Sequence, residues 1–173
     1  DKKILVPFGE FVPLRNLFGF MEYISGSLDF TEGTKERNLQ LNNIKILPVI
    51  CYEILFFWKL LNQSNINSDI IVNITNDSWF GDYSGPYQHF YFAKLRAAEF
   101  NKTLIRVSVN GISAGIDNFG RVIKFSKLNQ QQNKIISIPI NSRNNEYIRL
   151  HKIIFFLIFF PLLVILFFNK KNA

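Results

Sequence analysis

Cysteine is nearly absent: Cys51 is the only one in 173 residues, so no disulfide can close within the chain, and a single thiol leaves the redox compartment open. Ligand-rich clusters are missing too. His89 has no second His or Cys near it at metal-ligand spacing, and neither a metal nor an organic cofactor is expected. Acidic residues are the minority, 13 against 20 Lys and Arg for a net charge of +7. The basic residues are scattered, however, with no basic stripe, no Gly-aromatic RNA signature and no zinc-finger spacing, which argues against nucleic acid as a partner. No internal repeat is visible. No charged n-region followed by an apolar h-region opens the chain, so no signal peptide is read, and with Asp at position 1 the chain is expected to be the C-terminal piece of something longer. What is plentiful is apolar: 19 Phe and a hydrophobic share of 48% beside the positive charge suggest contact with a membrane.

That apolar excess is concentrated near the end. Ile153 to Phe168 is unbroken hydrophobic sequence apart from Pro161, and with flanking Arg149 and Lys152 it reaches the roughly 20 residues a helix needs to cross a bilayer. The expected organisation is therefore a globular part over residues 1–146, a transmembrane helix over 147–169 and a basic tail over 170–173. Basic residues at both ends leave its orientation open.

The stretch reading IKILPVICYEI, from Ile44 to Ile54, ends an apolar run abruptly at Cys51. It predicts a buried strand followed by a helix over Ile54 to Leu61, which puts Cys51 at the strand-to-helix turn. A side chain there stands above a sheet edge, close to backbone N–H groups able to hold a thiolate or an oxyanion. A lone free cysteine is more often a small buried hydrophobe, so the surroundings must decide.

The chain opens with KKILVPFGEFVP, where Pro7, Gly9 and Pro13 break regular structure and fix a loop able to hold Glu10 and a lysine in place. Leu14 to Ser25 reads as a helix dense in apolar groups, core or a lipid-dipping arm. Gly26 to Asn43 reads as a loop with a short strand at Asn38 to Leu41. Asp69 to Thr75 predicts a second buried strand, and two such strands joined by a helix form a βαβ-like unit whose C-terminal ends share one edge. Cys51 should then face the loop at Asn76 to Trp79. Pro86 to Asn101 reads as a helix in which His89 is a satisfied structural histidine and the aromatic stripe is core. Strands follow at Thr103 to Val109, Ile112 to Ile116, Arg121 to Phe125 after a turn at Asp117 to Gly120, and Lys134 to Ile140.

KKILVPFGEFVP, VICYEI from Val49, NDSWFGDYSGPYQH from Asn76, Arg96-Ala97-Ala98-Glu99 and Asn110-Gly111 together resemble the second half of the apolipoprotein N-acyltransferases, the membrane-bound members of the nitrilase superfamily. The resemblance implies an α/β fold, the second half of a nitrilase-type α-β-β-α sandwich followed by the transmembrane helix. It implies a Glu-Lys-Cys triad that moves an acyl chain from a phospholipid to the N-terminal amine of a diacylglyceryl lipoprotein, on the periplasmic side of the bacterial inner membrane.

Carried over by residue, Cys51 matches the nucleophile, and Lys2 rather than neighbouring Lys3 matches the triad lysine. Glu10 and Glu53 match two further glutamates, expected to orient Lys2 or its loop, and Tyr52 matches the neighbour of the cysteine. Phe11, Phe18, Trp79 and Phe80 are expected to touch acyl chains. The triad's general-base glutamate belongs upstream of the lysine. A free thiol with a pKa near ~8.5 needs such a base at neutral pH, so these residues alone are expected to be incomplete for catalysis unless a separate N-terminal fragment supplies it. Two other readings remain open: a membrane-tethered amidase using the same triad, and a truncated remnant without activity.

Overall fold

In a computed structural model the described residues are 1–14, 29–34, 37, 39–61, 67–140, 150 and 153–162. Six strands form one sheet in chain order: β1 (Leu39–Leu41), β2 (Ile44–Ile50), β3 (Ile70–Thr75), β4 (Thr103–Ser108), β5 (Ala114–Ile116) and β6 (Val122–Phe125). β2, β3 and β4 are parallel, and the outer pairings are antiparallel. The parallel trio is the part that can run in near-continuous Ile, Val and Leu, since parallel strands are buried on both faces.

Register explains where the core sits. Leu47, Ile71, Leu104 and Ile116 stand opposite one another across four strands, and all are buried. Against this row lies the helix α2 (Ser84–Phe100), which presents Ala93 and Ala97 one turn apart, with Phe100 beyond them. Two alanines at that spacing let the helix come close to the strands, because neither Cβ needs room. The helix ends at Asn101, in the left-handed region at φ 54°, where the N–H of Lys102 donates back to the Ala97 carbonyl at 3.0 Å. That closure satisfies carbonyls the last turn leaves without partners.

The opposite face of the sheet is also apolar but less covered. Pro48, Val72 and Ile105 share one register row and Ile50, Ile74 and Val107 the next, with Ile74 and Val107 more than half exposed. The second sheet of a four-layer sandwich is not among the described residues. Along β4 and β5 this face is bordered by residues 134–140: the Thr103 hydroxyl donates to the Pro139 carbonyl, and a Cβ on Gly115 would stand 3.2 Å from Ile136.

The structure departs from the sequence reading at two places. Residues 134–140 pair with no strand. Their contacts are side-chain mediated, as in the Lys124 ammonium donating to the Ile135 carbonyl at 3.3 Å, so apolar alternation there marks packing rather than a ladder. The helix expected over 54–61 divides into a 3-10 turn at Cys51–Leu55 and a short α1 (Phe57–Leu60), because the chain bends at Phe56 out of helical geometry (ψ 65°). About half of the expected transmembrane helix lies outside the described residues, so that expectation is neither met nor overturned. Of it, 150 and 153–162 are helical and exposed, and among the described residues no helix is long and apolar enough to cross a membrane. The helix expected at Leu14 to Ser25 likewise falls outside them, Leu14 excepted.

Candidate active site

β2 and β3 end on the same edge, and there Cys51 Sγ comes within 4.0 Å of the Asn76 carbonyl, as the βαβ reading requires. Cys51 itself has φ 52°, a left-handed turn for a residue with a Cβ. Such a conformation costs about 1–2 kcal/mol in an L-residue and persists where surrounding contacts impose it. The thiol is half-buried and borders a cavity of about 520 Å³ lined also by Lys2, Val6, Gly9, Glu10, Phe30, Tyr52, Trp79 and Phe80. Four segments distant in sequence thus line one cavity beside the sulfur.

The opening loop is held from both ends. Glu10 takes the Lys2 ammonium on one oxygen and the Val6 N–H on the other, at 2.8 Å. Glu53, fully buried, accepts the N–H groups of Lys3 at 2.7 Å and Ile4 at 2.8 Å on Oε1, which also receives the Arg37 guanidinium. Its Oε2 accepts the N–H of Ile50 at 2.7 Å, the residue before the thiol. One carboxylate therefore joins the lysine-bearing segment to the turn that presents Cys51. A buried charge is tolerable when several donors replace its hydration, as they do here.

A second polar cluster lies beneath the turn. Asp77 accepts from Thr75 Oγ1 at 3.1 Å, Ser108 Oγ at 3.0 Å and Arg106 Nη2 at 2.7 Å, and stands 2.8 Å from His89 Nδ1. Burial pushes the Asp77 carboxyl up, but the hydrogen bond from His89 and the charge of Arg106 outweigh it and hold the group at about 2. Burial in turn pulls the Arg106 guanidinium down, against the opposing charge of Asp77. Arg106 also donates to Asn73 Oδ1 at 2.5 Å and to the Ile112 carbonyl at 3.1 Å. Asn73 reaches on to the carbonyls of Val49 at 3.0 Å and Cys51 at 3.4 Å. Among the described residues no three His, Cys, Asp or Glu side chains gather to hold a metal ion.

Of the residues singled out in the sequence, the structure brings Cys51, Lys2, Glu10, Tyr52, Trp79 and Phe80 together around the cavity. Glu53 sits behind them, bonded to backbone. Phe11 is not among the lining residues, and Phe18 lies outside the described residues. Sequence reasoning missed Phe30, Arg37, Asp77 and Arg106. Arg106 carried a signal: a cation inside an apolar strand needs a buried partner, and NDSW supplies an aspartate.

Residues 8–148 match the family Carbon-nitrogen hydrolase. The chain is 38% identical over 174 residues to the apolipoprotein N-acyltransferase of Rickettsia typhi, covering 96% of this chain and 35% of that protein. It is 44% identical over 130 residues to the apolipoprotein N-acyltransferase of Rickettsia bellii, covering 75% and 26%. The chain thus spans between about a quarter and about a third of the length of these curated relatives. A crystal structure of a CN-hydrolase superfamily protein from Xanthomonas campestris superposes with a TM-score of 0.48 at 17% identity, covering 75% of this chain and 48% of that chain.

Proposed function

Because the chain belongs to the carbon-nitrogen hydrolase family, we propose that its Cys51 is the nucleophile of a membrane acyltransferase, one that moves an acyl chain from a phospholipid to the N-terminal amine of a diacylglyceryl lipoprotein. The observation that carries this reading is the cavity, where a thiol and the Lys2–Glu10 pair share a wall with Tyr52, Trp79, Phe80 and Phe30. An amidase for small polar substrates has no use for so much aromatic surface. An acyl chain does, at roughly 25 cal/mol for each Å² of apolar area removed from water.

The chemistry runs in two steps. The Cys51 sulfur bonds to the ester carbonyl carbon, the carbon–oxygen bond breaks, and lysophospholipid leaves with the proton lost from the thiol. The amine then attacks the thioester, the carbon–sulfur bond breaks, and the sulfur recovers a proton as the amide forms. The Lys2 ammonium stabilises the oxyanion in both steps, and Glu10 keeps it aimed. Glu10 and Glu53 are occupied by ammonium, guanidinium and backbone donors, so neither is placed to take the thiol proton. The base is therefore assigned to a group other than these two glutamates. Residues 147–169 anchor the domain in the inner membrane, on the periplasmic side.

The test is an intact mass measurement after incubation with phosphatidylethanolamine in detergent. The chain is measured alone, and joined to the segment that precedes the matched region in its relatives. One hydroxylamine-sensitive acyl adduct, present in the joined form and abolished by Cys51→Ala, is the expected result. No adduct in the joined form overturns the reading, and lipid-independent release of ammonia from small amides replaces it with an amidase.

A further inference from the structure

The left-handed turn at Cys51 needs contacts that fix the peptide after it, and they converge on its carbonyl oxygen. His89 Nε2 lies 3.3 Å from that oxygen and Asn73 Nδ2 3.4 Å. The His89 ring is itself immobilised. It is 2% exposed, packs on Tyr52 and Phe80 with centroids 5.6 and 5.4 Å away, and has Nδ1 2.8 Å from Asp77 Oδ1. Arg106 Nη2 holds the other Asp77 oxygen at 2.7 Å and stands 3.3 Å from the same ring nitrogen. His89 is not among the residues lining the cavity, so it acts on the thiol through the backbone.

We propose that His89 is a positioning residue for the nucleophile: by donating Nε2–H to the Cys51 carbonyl it holds the turn that aims Sγ into the cavity. The contact is attractive only with the proton on Nε2, because a bare ring nitrogen facing a carbonyl oxygen repels it. Nδ1–H donates in turn to the Asp77 carboxylate, so the ring that meets both acceptors carries a proton on each nitrogen and is kept from rotating away. This role rests on the reading of Cys51 as the nucleophile, yet it makes its own demand: the side chain at position 89 must donate from the place of Nε2 and no nearer.

Glutamine and asparagine separate those places, since the Gln amide nitrogen can occupy the position of Nε2 and the Asn amide only that of Nδ1. The probe is p-nitrophenyl butyrate at a pH of about 9, where an ordinary thiol ionises without a base. A sulfur–carbon bond forms at the only cysteine, the ester carbon–oxygen bond breaks, and p-nitrophenolate is released in a burst. In the full chain, His89→Gln is expected to keep the acylation rate within about threefold. His89→Asn is expected to slow it at least about tenfold with an unchanged circular dichroism spectrum, the order of effect of a misplaced nucleophile.

Equal rates in all three proteins, or equal losses in both variants, overturn the proposal. A wild-type chain that gives neither burst nor adduct instead removes Cys51 as nucleophile and takes the positioning role with it. Should the variants fail to fold, the nitrogen-15 spectrum of the wild-type imidazole decides. A protonated Nε2 at neutral pH is expected, and an unprotonated one overturns the proposal.

Discussion

Glu53 accepts the backbone N–H of Ile4 at 2.8 Å, reaching across 49 positions of sequence from just beyond the thiol to just beyond the lysine. With the bonds to Lys3 and Ile50 it makes the separation of Lys2 and Cys51 a property of one carboxylate. Replacing it by alanine strands the Arg37 guanidinium, 7% exposed, without its counter-charge and leaves the N–H groups of Lys3, Ile4 and Ile50 without their acceptor. Breaking a buried pair in this way costs about 3–5 kcal/mol. Glu53→Ala is expected to lower the urea midpoint accordingly. Glu53→Gln keeps the volume and an acceptor oxygen, so it should fall between alanine and wild type. A Glu53→Ala chain as stable as wild type would show that the opening loop is held by other contacts.

Part of this was legible in the sequence because it is local. An apolar run ending at a cysteine, followed by helical spacing, placed Cys51 at the mouth of β2, and the second apolar run placed Asn76 opposite it. His89, read as structural because no second His or Cys stands near it at metal spacing, is a buried histidine with a partner at each ring nitrogen. The partners of Glu53 and Asp77 were not legible. Arg37 lies in a polar stretch that reads as loop, and Arg106 pairs with a residue 29 positions away, so both depend on the sheet register that only folding sets. Residues 134–140 show the converse failure. Ile136 and Ile138 alternate as strand residues do, yet here they pack beside Gly115 rather than join a ladder.

Asp77 gives the fold a defined acid limit. Its carboxyl sits at about 2 against an ordinary 3.8, so its folded-state value is depressed. The stability it contributes is complete above about pH 4 and is lost as pH falls toward 2, amounting to about 2 kcal/mol. Unfolding midpoints measured between pH 2 and 6 should show that decline in the wild type. Asp77→Asn should be less stable at pH 7, with Arg106 left uncompensated, and should lack this component of the acid decline. Parallel curves for the two proteins would assign the acid limit to other carboxyls.

Gly111 stands where the Asp77 cluster leaves no room for a side chain. A Cβ there would overlap the Asp77 carboxylate and Ser108 Oγ, and the Gly111 N–H donates to Ser108 Oγ at 3.0 Å. Neither neighbour can withdraw without breaking a bond to the buried aspartate. Gly111→Ala is therefore expected to cost about 1–3 kcal/mol, as overpacking does, and to lower Tm by several degrees. An unchanged Tm would mean that the loop after β4 yields freely and does not brace Asp77.

Trp79 separates stability from activity. It is 86% exposed, yet it borders the cavity that holds the thiol. An exposed side chain supports little of the fold, so Trp79→Ala should unfold within about 0.5 kcal/mol of wild type. If the exposed indole receives part of an acyl chain, its loss removes apolar contact from the bound lipid, of the order of 1.5–3 kcal/mol for a large side chain. Acylation of Cys51 by a long-chain phospholipid should then fall by about tenfold or more, while a short activated ester, too small to span the aromatic wall, should react at the wild-type rate. The ratio of the two rates is the measurement. A variant that slows both donors equally would place Trp79 with the groups that orient the thiol, and one that slows neither would leave the acyl chain to Phe30, Tyr52 and Phe80 alone.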